Sequence, residues 1–264
     1  MSANPLIAVQ QYGQSMWMDY IKRSLIESGE LEVQVAEGIM GMTSNPTIFA
    51  KAIGDSEEYD AAISKLLDLD VTGIYEALAI ADIQGAADVL RPVYERTGGE
   101  DGYVSLEVSP LLAYDTEQTL SEAKRLFRAV NRPNVMIKIP GTPQGLPAIE
   151  EAVAAGINVN VTLLFSVSNY IEVAQRYVRG LERRLEAGQE IAHVASVASF
   201  FLSRIDGVVD NILEGNIRAG RLRGGFESAP LNRRLLGQAA IASAKLAYAP
   251  VPYTHLTLPP LHPV

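Results

Sequence analysis

Short apolar segments alternate with longer segments of helical periodicity along most of the chain. The apolar segments carry few polar residues on either face, which is typical of strands that are buried on both sides. Repeated strand–helix units of this kind predict a parallel sheet covered by helices, and therefore an α/β protein. We predict strands at 38–43, 103–108, 135–139, 157–162 and 194–198, a weaker strand at 14–19, helices at 57–67, 73–97, 115–129, 145–155, 168–186 and 201–218, and the start of another helix at 238–247.

The succession of units favours a (β/α)₈ TIM barrel. A doubly wound open sheet is the alternative, but no G-x-G-x-x-G motif opens a helix after the first strand. A barrel of this type has eight strands, and the sequence supplies six candidates. The final stretch, "YAPVPYTHLTLPPLHPV", contains five prolines and neither period, so it cannot supply two buried strands. We expect an incomplete barrel over 1–248 and an unstructured tail over 249–264.

Composition excludes several classes of function. The formal net charge of -9 argues against binding to nucleic acid or to an acidic membrane surface, although it does not exclude a small anionic substrate. The absence of cysteine excludes disulfides, thiolate nucleophiles and cysteine-based zinc sites, and three histidines make a His-rich metal site unexpected. We find no signal peptide and no membrane-spanning run, so we expect a soluble cytoplasmic protein without cofactor.

A lysine interrupts the apolar segment "VMIKIPGT", at residues 135–142. Lys138 fits an edge strand, or a buried ion pair with an acidic residue. It also fits a nucleophilic amine, because an apolar wall disfavours the ammonium and leaves a neutral amine that can attack a carbonyl carbon.

Other polar residues lie near the predicted carboxyl ends of strands, where a barrel places its active site. Glu107, in "SLEVSP", is costly to bury unless it forms an ion pair or takes part in chemistry. Asn45 precedes Pro46, a combination typical of a helix N-cap followed by the first helical residue. Asn160 and Thr162 are two residues apart on one strand, so both point inward and need polar partners such as a polyol substrate.

Two further charged residues allow two interpretations each. Asp19, in "SMWMDYIKR", fits a solvated acid beside Lys22 and Arg23 as well as a group in the site. Arg204 fits a surface ion pair, but beside Ser199 at a strand end it also fits a phosphate clamp.

Taken together, these segments resemble the transaldolase family. The resemblance covers about residues 10–248, and several independent motifs in the right order make it specific. The motifs are "GQSMWMDYIKR" at 13–23, similar to the opening of the longer bacterial subclass, "GMTSNPTIF" at 41–49, "VMIKIPGTPQGLPAIE" at 135–150, "GINVNVTLLFS" at 156–166 and "ASFFLSRID" at 198–206. The tail from about residue 249 does not resemble the family.

The resemblance implies a class I aldolase-type barrel and a role for each site residue. Lys138 would form a Schiff base with the C2 carbonyl of a ketose phosphate. Asp19 would act as general base, and Glu107 with Thr162 would relay protons. The remaining residues implied in substrate binding are Thr43, Asn45 and Asn160 around the dihydroxyacetone unit, and Ser199, Phe201 and Arg204 towards the phosphate and the acceptor.

The implied reaction transfers a dihydroxyacetone unit from sedoheptulose 7-phosphate or fructose 6-phosphate to an aldose phosphate in the pentose phosphate pathway. The implied partners are thus sugar phosphates, and the implied class is a transferase. Fructose 6-phosphate aldolases, which resemble this family, carry Tyr where this chain has Phe201, so Phe201 favours transfer over cleavage. The alternatives are an aldolase-like Schiff-base lyase, a non-catalytic sugar-phosphate-binding fragment and, with least support, an isomerase. Because an incomplete barrel leaves strand edges unpaired, we expect this chain to be poorly stable and to have little activity.

Overall fold

The computed structural model describes residues 4–222 and 228–249. Its six strands are β1 (Met16–Asp19), β2 (Ile39–Thr43), β3 (Val104–Glu107), β4 (Val135–Pro140), β5 (Val159–Leu164) and β6 (Ser196–Phe200). The helices are α1 (Pro5–Ala8), α2 (Arg23–Glu27), α3 (Glu30–Ala36), α4 (Pro46–Gly54), α5 (Asp60–Ile63), α6 (Val71–Arg96), α7 (Thr116–Val130), α8 (Gly145–Ala154), α9 (Val167–Glu186), α10 (Ser203–Leu222), α11 (Ser228–Leu235) and α12 (Ala239–Tyr248), with short 3₁₀ turns at Val9–Tyr12, Glu57–Tyr59 and Pro110–Leu112.

The six strands are all parallel and lie side by side in chain order. The sheet is curled, and helices alternate with the strands along the chain, so the described residues form an incomplete α/β barrel. This confirms the predicted fold class and all six predicted strands. Because the strands are parallel, their carboxyl ends meet at a single edge of the sheet, which is where a barrel places functional side chains.

The core lies between the sheet and the long helices. Strand β4 is buried along its whole length, and Val135, Ile137 and Ile139 are inaccessible to solvent. They belong to one cluster with apolar residues of α6, α7 and α8. Burial on both faces explains why this strand reads as an almost continuous apolar run.

Some predicted boundaries were wrong. Strands β5 and β6 each begin two residues later than predicted. Before β5, Gly156 adopts a left-handed conformation that ends the preceding turn. Phe201 is not in α10, since its backbone N–H donates to the carbonyl of Leu164 at 2.8 Å and continues the pairing with β5. Helix α10 therefore begins at Ser203.

The predicted helix at 57–67 was also wrong in length. A 3₁₀ turn and the four-residue α5 stand in its place, followed by turns. Its apolar residues pack in a small satellite cluster around Tyr59 and Leu78 that does not require a long amphipathic helix. Helices α1, α2, α3 and α11 were not predicted. Apart from Ala249, the predicted tail at 249–264 lies outside the described residues. No helix in the described ranges is long and apolar enough to cross a membrane.

Candidate active site

A cavity of about 870 Å³ opens at the carboxyl edge of the sheet. Nine of the ten candidate residues line it, and these are Asp19, Thr43, Asn45, Glu107, Lys138, Thr162, Ser199, Phe201 and Arg204. They come from all six strands and from the segments that follow β2 and β6. Residues that are up to 185 positions apart in the sequence, from 19 to 204, thus surround one space.

Lys138 reaches this cavity from the buried middle of the sheet. β4 has a neighbour on each side, so the interpretation of Lys138 as an edge-strand residue was wrong. The residue is 7% exposed. Its Nζ donates to the backbone carbonyl of Ser44 at 2.6 Å and lies 3.6 Å from Oε2 of Glu107. The amine therefore has two polar neighbours, and the argument from an apolar wall alone was incomplete.

Glu107 is paired with Lys138 in the β3–β4 register, which places the two side chains on the same face. Burial raises the pKa of Glu107, the charge of Lys138 partly opposes that rise, and the charge of Asp19 adds to it. A carboxyl group with a raised pKa, close to an amine, is suited to giving and taking protons. The two functional interpretations of Glu107, ion pairing and proton transfer, are compatible in this geometry.

Asp19 lies exposed at the end of β1, on the rim of the cavity. Its two cationic neighbours in sequence are engaged elsewhere. Lys22 forms an ion pair with Glu58, and Arg23 forms one with Asp82 at 2.8 Å. Asp19 is thus an exposed acid on the rim, and both interpretations, a solvated acid and a group in the site, agree with its position.

Asn160 is the one candidate residue that does not line the cavity. It is buried beneath the cavity floor, where its amide group donates to the hydroxyl of Ser105 at 3.0 Å and accepts from Ser199 at 2.8 Å. Both ends of its side chain are thus occupied by protein groups. Asn160 connects β3, β5 and β6 below the site.

Two hydroxyl groups at the cavity wall lack partners. Among the described residues, the buried Oγ1 atoms of Thr43 and Thr162 make no hydrogen bond. A buried hydroxyl without a partner is costly, so a polar ligand that reaches both groups would gain binding energy from them. Leu163, the residue after Thr162, has a positive φ of 62° within an irregular part of the β5–β6 pairing. Strained backbone of this kind is concentrated at functional sites.

Asn45 caps α4, as predicted. Its side-chain oxygen accepts from the backbone N–H of Ile48 at 3.0 Å, and Pro46 follows at the first helical position. The cap directs the amino end of α4 towards the cavity, because Pro46, Thr47 and Ile48 line it as well.

The far side of the cavity is aromatic and cationic. Phe165 and Phe201 are stacked with ring centroids 5.1 Å apart, and the guanidinium of Arg204 lies 4.6 Å from the centre of the Phe201 ring. This contact holds an exposed arginine at the mouth of the cavity without consuming its charge.

Two residues near the site were not singled out from the sequence. Lys51 lines the cavity one helical turn after Thr47, and this i, i+4 spacing was a signal available once α4 was predicted from the Asn-Pro cap. Ser105 had no such signal, because its role depends on contacts with Ser44 and Asn160, which are remote in sequence. Within the described ranges, no group of three or more acidic or histidine residues is placed to hold a metal ion.

The model of the transaldolase and fructose-6-phosphate aldolase family matches residues 16–254. The chain belongs to this family. The match extends past residue 248, where the resemblance read from the motifs ended. The chain is similar to transaldolase 2 of Nostoc punctiforme, with 52% identity over 264 residues. It is also similar to the transaldolases of Trichodesmium erythraeum, with 49% identity over 251 residues, and of Thiobacillus denitrificans, with 47% over 243 residues.

These alignments cover 94%, 94% and 91% of this chain, and 65% of each of the three relatives. The chain therefore spans about two thirds of the length of the transaldolases that it matches. The family membership confirms the resemblance that the motifs indicated.

Proposed function

We propose that this chain carries a transaldolase active site, in which Lys138 forms a Schiff base with a ketose phosphate. The observation that carries the proposal is the geometry of Lys138. This residue is 7% exposed and faces the cavity, and its amine lies 3.6 Å from the carboxyl group of Glu107, whose pKa is raised. Transaldolases as relatives support the same reaction. No metal or organic cofactor is needed, because the iminium itself is the electron sink.

The first half of the reaction makes and breaks bonds at C2 to C4 of the ketose. The neutral amine of Lys138 attacks C2, and the carbinolamine loses water to give the iminium. Glu107, with Thr162, would transfer the protons of that step. Asp19 would then take the proton of the C4 hydroxyl, so that the C3–C4 bond breaks and its electron pair moves onto the iminium. The aldose phosphate leaves, and a dihydroxyacetone enamine stays on Lys138.

The second half reverses these steps on a new aldehyde. The enamine carbon attacks the aldose phosphate acceptor, the new hydroxyl takes a proton from Asp19, and water releases the product from Lys138. Thr43 and Thr162 would bind donor hydroxyls with their unpartnered Oγ1 atoms. Arg204 and Ser199 would bind the phosphate. Donors would be sedoheptulose 7-phosphate or fructose 6-phosphate, in the pentose phosphate pathway.

We also propose that the chain of 264 residues turns over slowly. Asp19 and Arg204 both lie exposed on the two outermost strands or just beyond them. β1 pairs with β2, and β6 pairs with β5. Neither residue is held as firmly as Lys138 and Glu107 are in the middle of the sheet, and catalysis depends strongly on positioning.

Borohydride trapping tests the proposal. The full chain is incubated with fructose 6-phosphate, reduced, and analysed by intact mass and peptide mapping. We expect a dihydroxyacetone-derived adduct on Lys138. An adduct on another lysine, or none on a chain with a cooperative thermal transition, would contradict the proposal.

An aldolase-like lyase is the second candidate, and the donor alone separates the two functions. A transaldolase releases one equivalent of glyceraldehyde 3-phosphate per site and then stops until an acceptor is added. A lyase continues. Phe201, on the cavity wall, favours the first outcome through the resemblance noted above. Binding of the sugar phosphate without any trapping would instead favour a non-catalytic protein.

A further inference from the structure

Ser44 makes two buried contacts for which the proposed reaction gives no reason. The residue is fully buried, its hydroxyl donates to the carbonyl of Ser105 at 2.7 Å, and its own carbonyl accepts from Nζ of Lys138 at 2.6 Å. We propose that Ser44 is a positioning residue, whose tethered carbonyl holds the amine of Lys138 and directs its lone pair into the cavity. This inference rests on the proposed function.

Just beyond the end of β2, the hydroxyl of Ser44 makes the hydrogen bond to β3 that backbone N–H groups make within the strand. Inside the ladder, the N–H of Met42 donates to the carbonyl of Tyr103 at 2.9 Å. Two residues further along, the Ser44 hydroxyl donates to the carbonyl of Ser105, which is the next carbonyl pointing the same way. The side chain thus keeps the chain attached to β3 one residue beyond Thr43, the last residue of the strand.

The residue that follows Ser44 is also fixed. Asn45 precedes Pro46, which restricts it to extended conformations, and it has φ -153° and ψ 166°. Its side chain caps α4. The peptide group between Ser44 and Asn45 is therefore held from both sides, and the direction of its carbonyl follows from the order Ser-Asn-Pro.

A carbonyl acts on an amine differently from a carboxylate. It accepts an N–H from the neutral amine and from the ammonium, so it can hold the nitrogen in both protonation states. The Glu107 oxygen, at 3.6 Å, is beyond hydrogen-bonding distance. When the neutral amine donates one N–H to Ser44, its lone pair remains free for the carbonyl carbon of a substrate.

The experiment measures the reactivity of Lys138 against pH in the full chain. Dihydroxyacetone is the probe, because it is a ketone without phosphate and does not need Arg204. Cyanoborohydride traps the iminium across a series from about pH 6 to about pH 10, and peptide mapping gives the rate of labelling at Lys138. The variants are S44A, S44C, which keeps the side-chain volume but donates weakly, and S44T, which keeps the hydroxyl.

Thr119 supplies a matched control. It is 1% exposed, and its hydroxyl donates to the carbonyl of Leu112 at 2.7 Å, the same kind of bond as that of Ser44 but away from the cavity. T119V therefore reports the general cost of losing one buried hydroxyl.

We expect S44A and S44C to lower the plateau rate about tenfold, which is the size expected when one hydrogen bond to the nitrogen is lost. S44T and T119V should keep the plateau rate of the unsubstituted chain. If S44A does not fold, S44C decides.

The outcomes separate the two proposals. Labelling of Lys138 in the unsubstituted chain with an unchanged plateau rate in the folded Ser44 variants would overturn the positioning role alone. An equal loss of plateau rate in S44A and T119V, without recovery in S44T, would assign Ser44 a structural role and overturn it as well. Absence of labelling at Lys138 in the unsubstituted chain would overturn the proposed function, and the inference about Ser44 with it.

Discussion

The middle and the edges of the sheet differ in what they can hold. All residues of β4 are buried, whereas β6 has no fully buried residue and β1 has exposed ends. Lys138 and Glu107, whose proposed chemistry depends on removal from water, lie in the middle. Asp19 and Arg204, which in the proposed reaction would act on more accessible parts of a substrate, lie at or beside the edges. Burial therefore divides the proposed site into a desolvated centre and an exposed rim.

The helices show the same contrast. On the inner helix α8, Ala148, Ile149, Ala152 and Val153 are inaccessible to solvent. Near the β6 edge, α10 and α12 expose large apolar side chains, which are Val208, Ile212, Ile241 and Leu246. Exposed apolar surface of this kind favours association or aggregation. The proposed nucleophile therefore lies in the best-packed part of the described chain.

Substitution of the two lysines that line the cavity, Lys138 and Lys51, tests the difference between the buried centre and the exposed rim most directly. We expect K138M to abolish borohydride trapping with fructose 6-phosphate, because the central amine is the proposed nucleophile. K51M, at the exposed wall of the same cavity, should keep trapping within about threefold, which is the size of a lost surface charge contact. Intact mass gives both results. Trapping that persists in K138M would show that the amine that reacts is not in the buried centre of the sheet.

Matched valine truncations test the packing directly. V135A, in β4, should lower the free energy of unfolding by about 2 kcal/mol, since it deletes two fully buried methyl groups and leaves a cavity. V197A, in β6, should cost less than about 1 kcal/mol because the residue is only partly buried. Urea unfolding followed by circular dichroism measures both. Equal costs would show that the β6 edge is packed as firmly as the centre.

Two helix caps separate stability from function. N45A and D70A each remove an N-cap oxygen, at α4 and α6, and each should cost about 1 kcal/mol of stability. Only N45A should reduce trapping, because Asn45 lines the cavity and Asp70 does not. A loss of trapping in D70A as large as that in N45A would mean that the effect is one of stability alone.

The smallest expected effect is a pH dependence of stability at Glu107. Its pKa in the folded state is raised by burial above the ordinary value of about 4.3. The resulting stabilisation is complete below about pH 4.3 and is lost as the pH rises through the folded pKa. The melting temperature of E107Q relative to the unsubstituted chain should therefore increase from about pH 4 to about pH 7.

Asp19 provides the control for that prediction. Its charge contributes to the raised pKa of Glu107, so the effect of E107Q should be smaller in a D19N background. Calorimetry at several pH values measures both differences. If the melting temperature of E107Q falls relative to that of the unsubstituted chain as the pH rises, the predicted direction of the pH dependence is contradicted.

Much of the fold was predictable because it depends on local patterns. The apolar run of β4 and the Asn45–Pro46 cap depend on neighbours in the sequence, and both were predicted. The segment at 57–67 was mispredicted because its apolar residues serve a cluster with α6, and a local pattern cannot show what they pack against. The start of α10 was misplaced because Phe201 pairs with β5, which is a non-local contact.

In the candidate site, too, local patterns were predictable and non-local contacts were not. Nine residues that the motifs indicated do line one cavity, since parallel strands bring their carboxyl ends to the same edge. Asn160 was expected to point inward together with Thr162, and its pairing with Lys138 in the β4–β5 register places it on the same face as that lysine. It does not line the cavity, because its amide is taken by Ser105 and Ser199 from two other strands.

Periodicity and motifs are local properties of the chain, and they were sufficient to predict the α/β class, the six strands, the family and the candidate lysine. The surroundings of that lysine could be read only from the folded chain. The carbonyl of Ser44, just after β2, and the carboxyl group of Glu107, on β3, both reach Lys138. Such contacts depend on sheet order and register, which fix distances between residues that no local pattern relates.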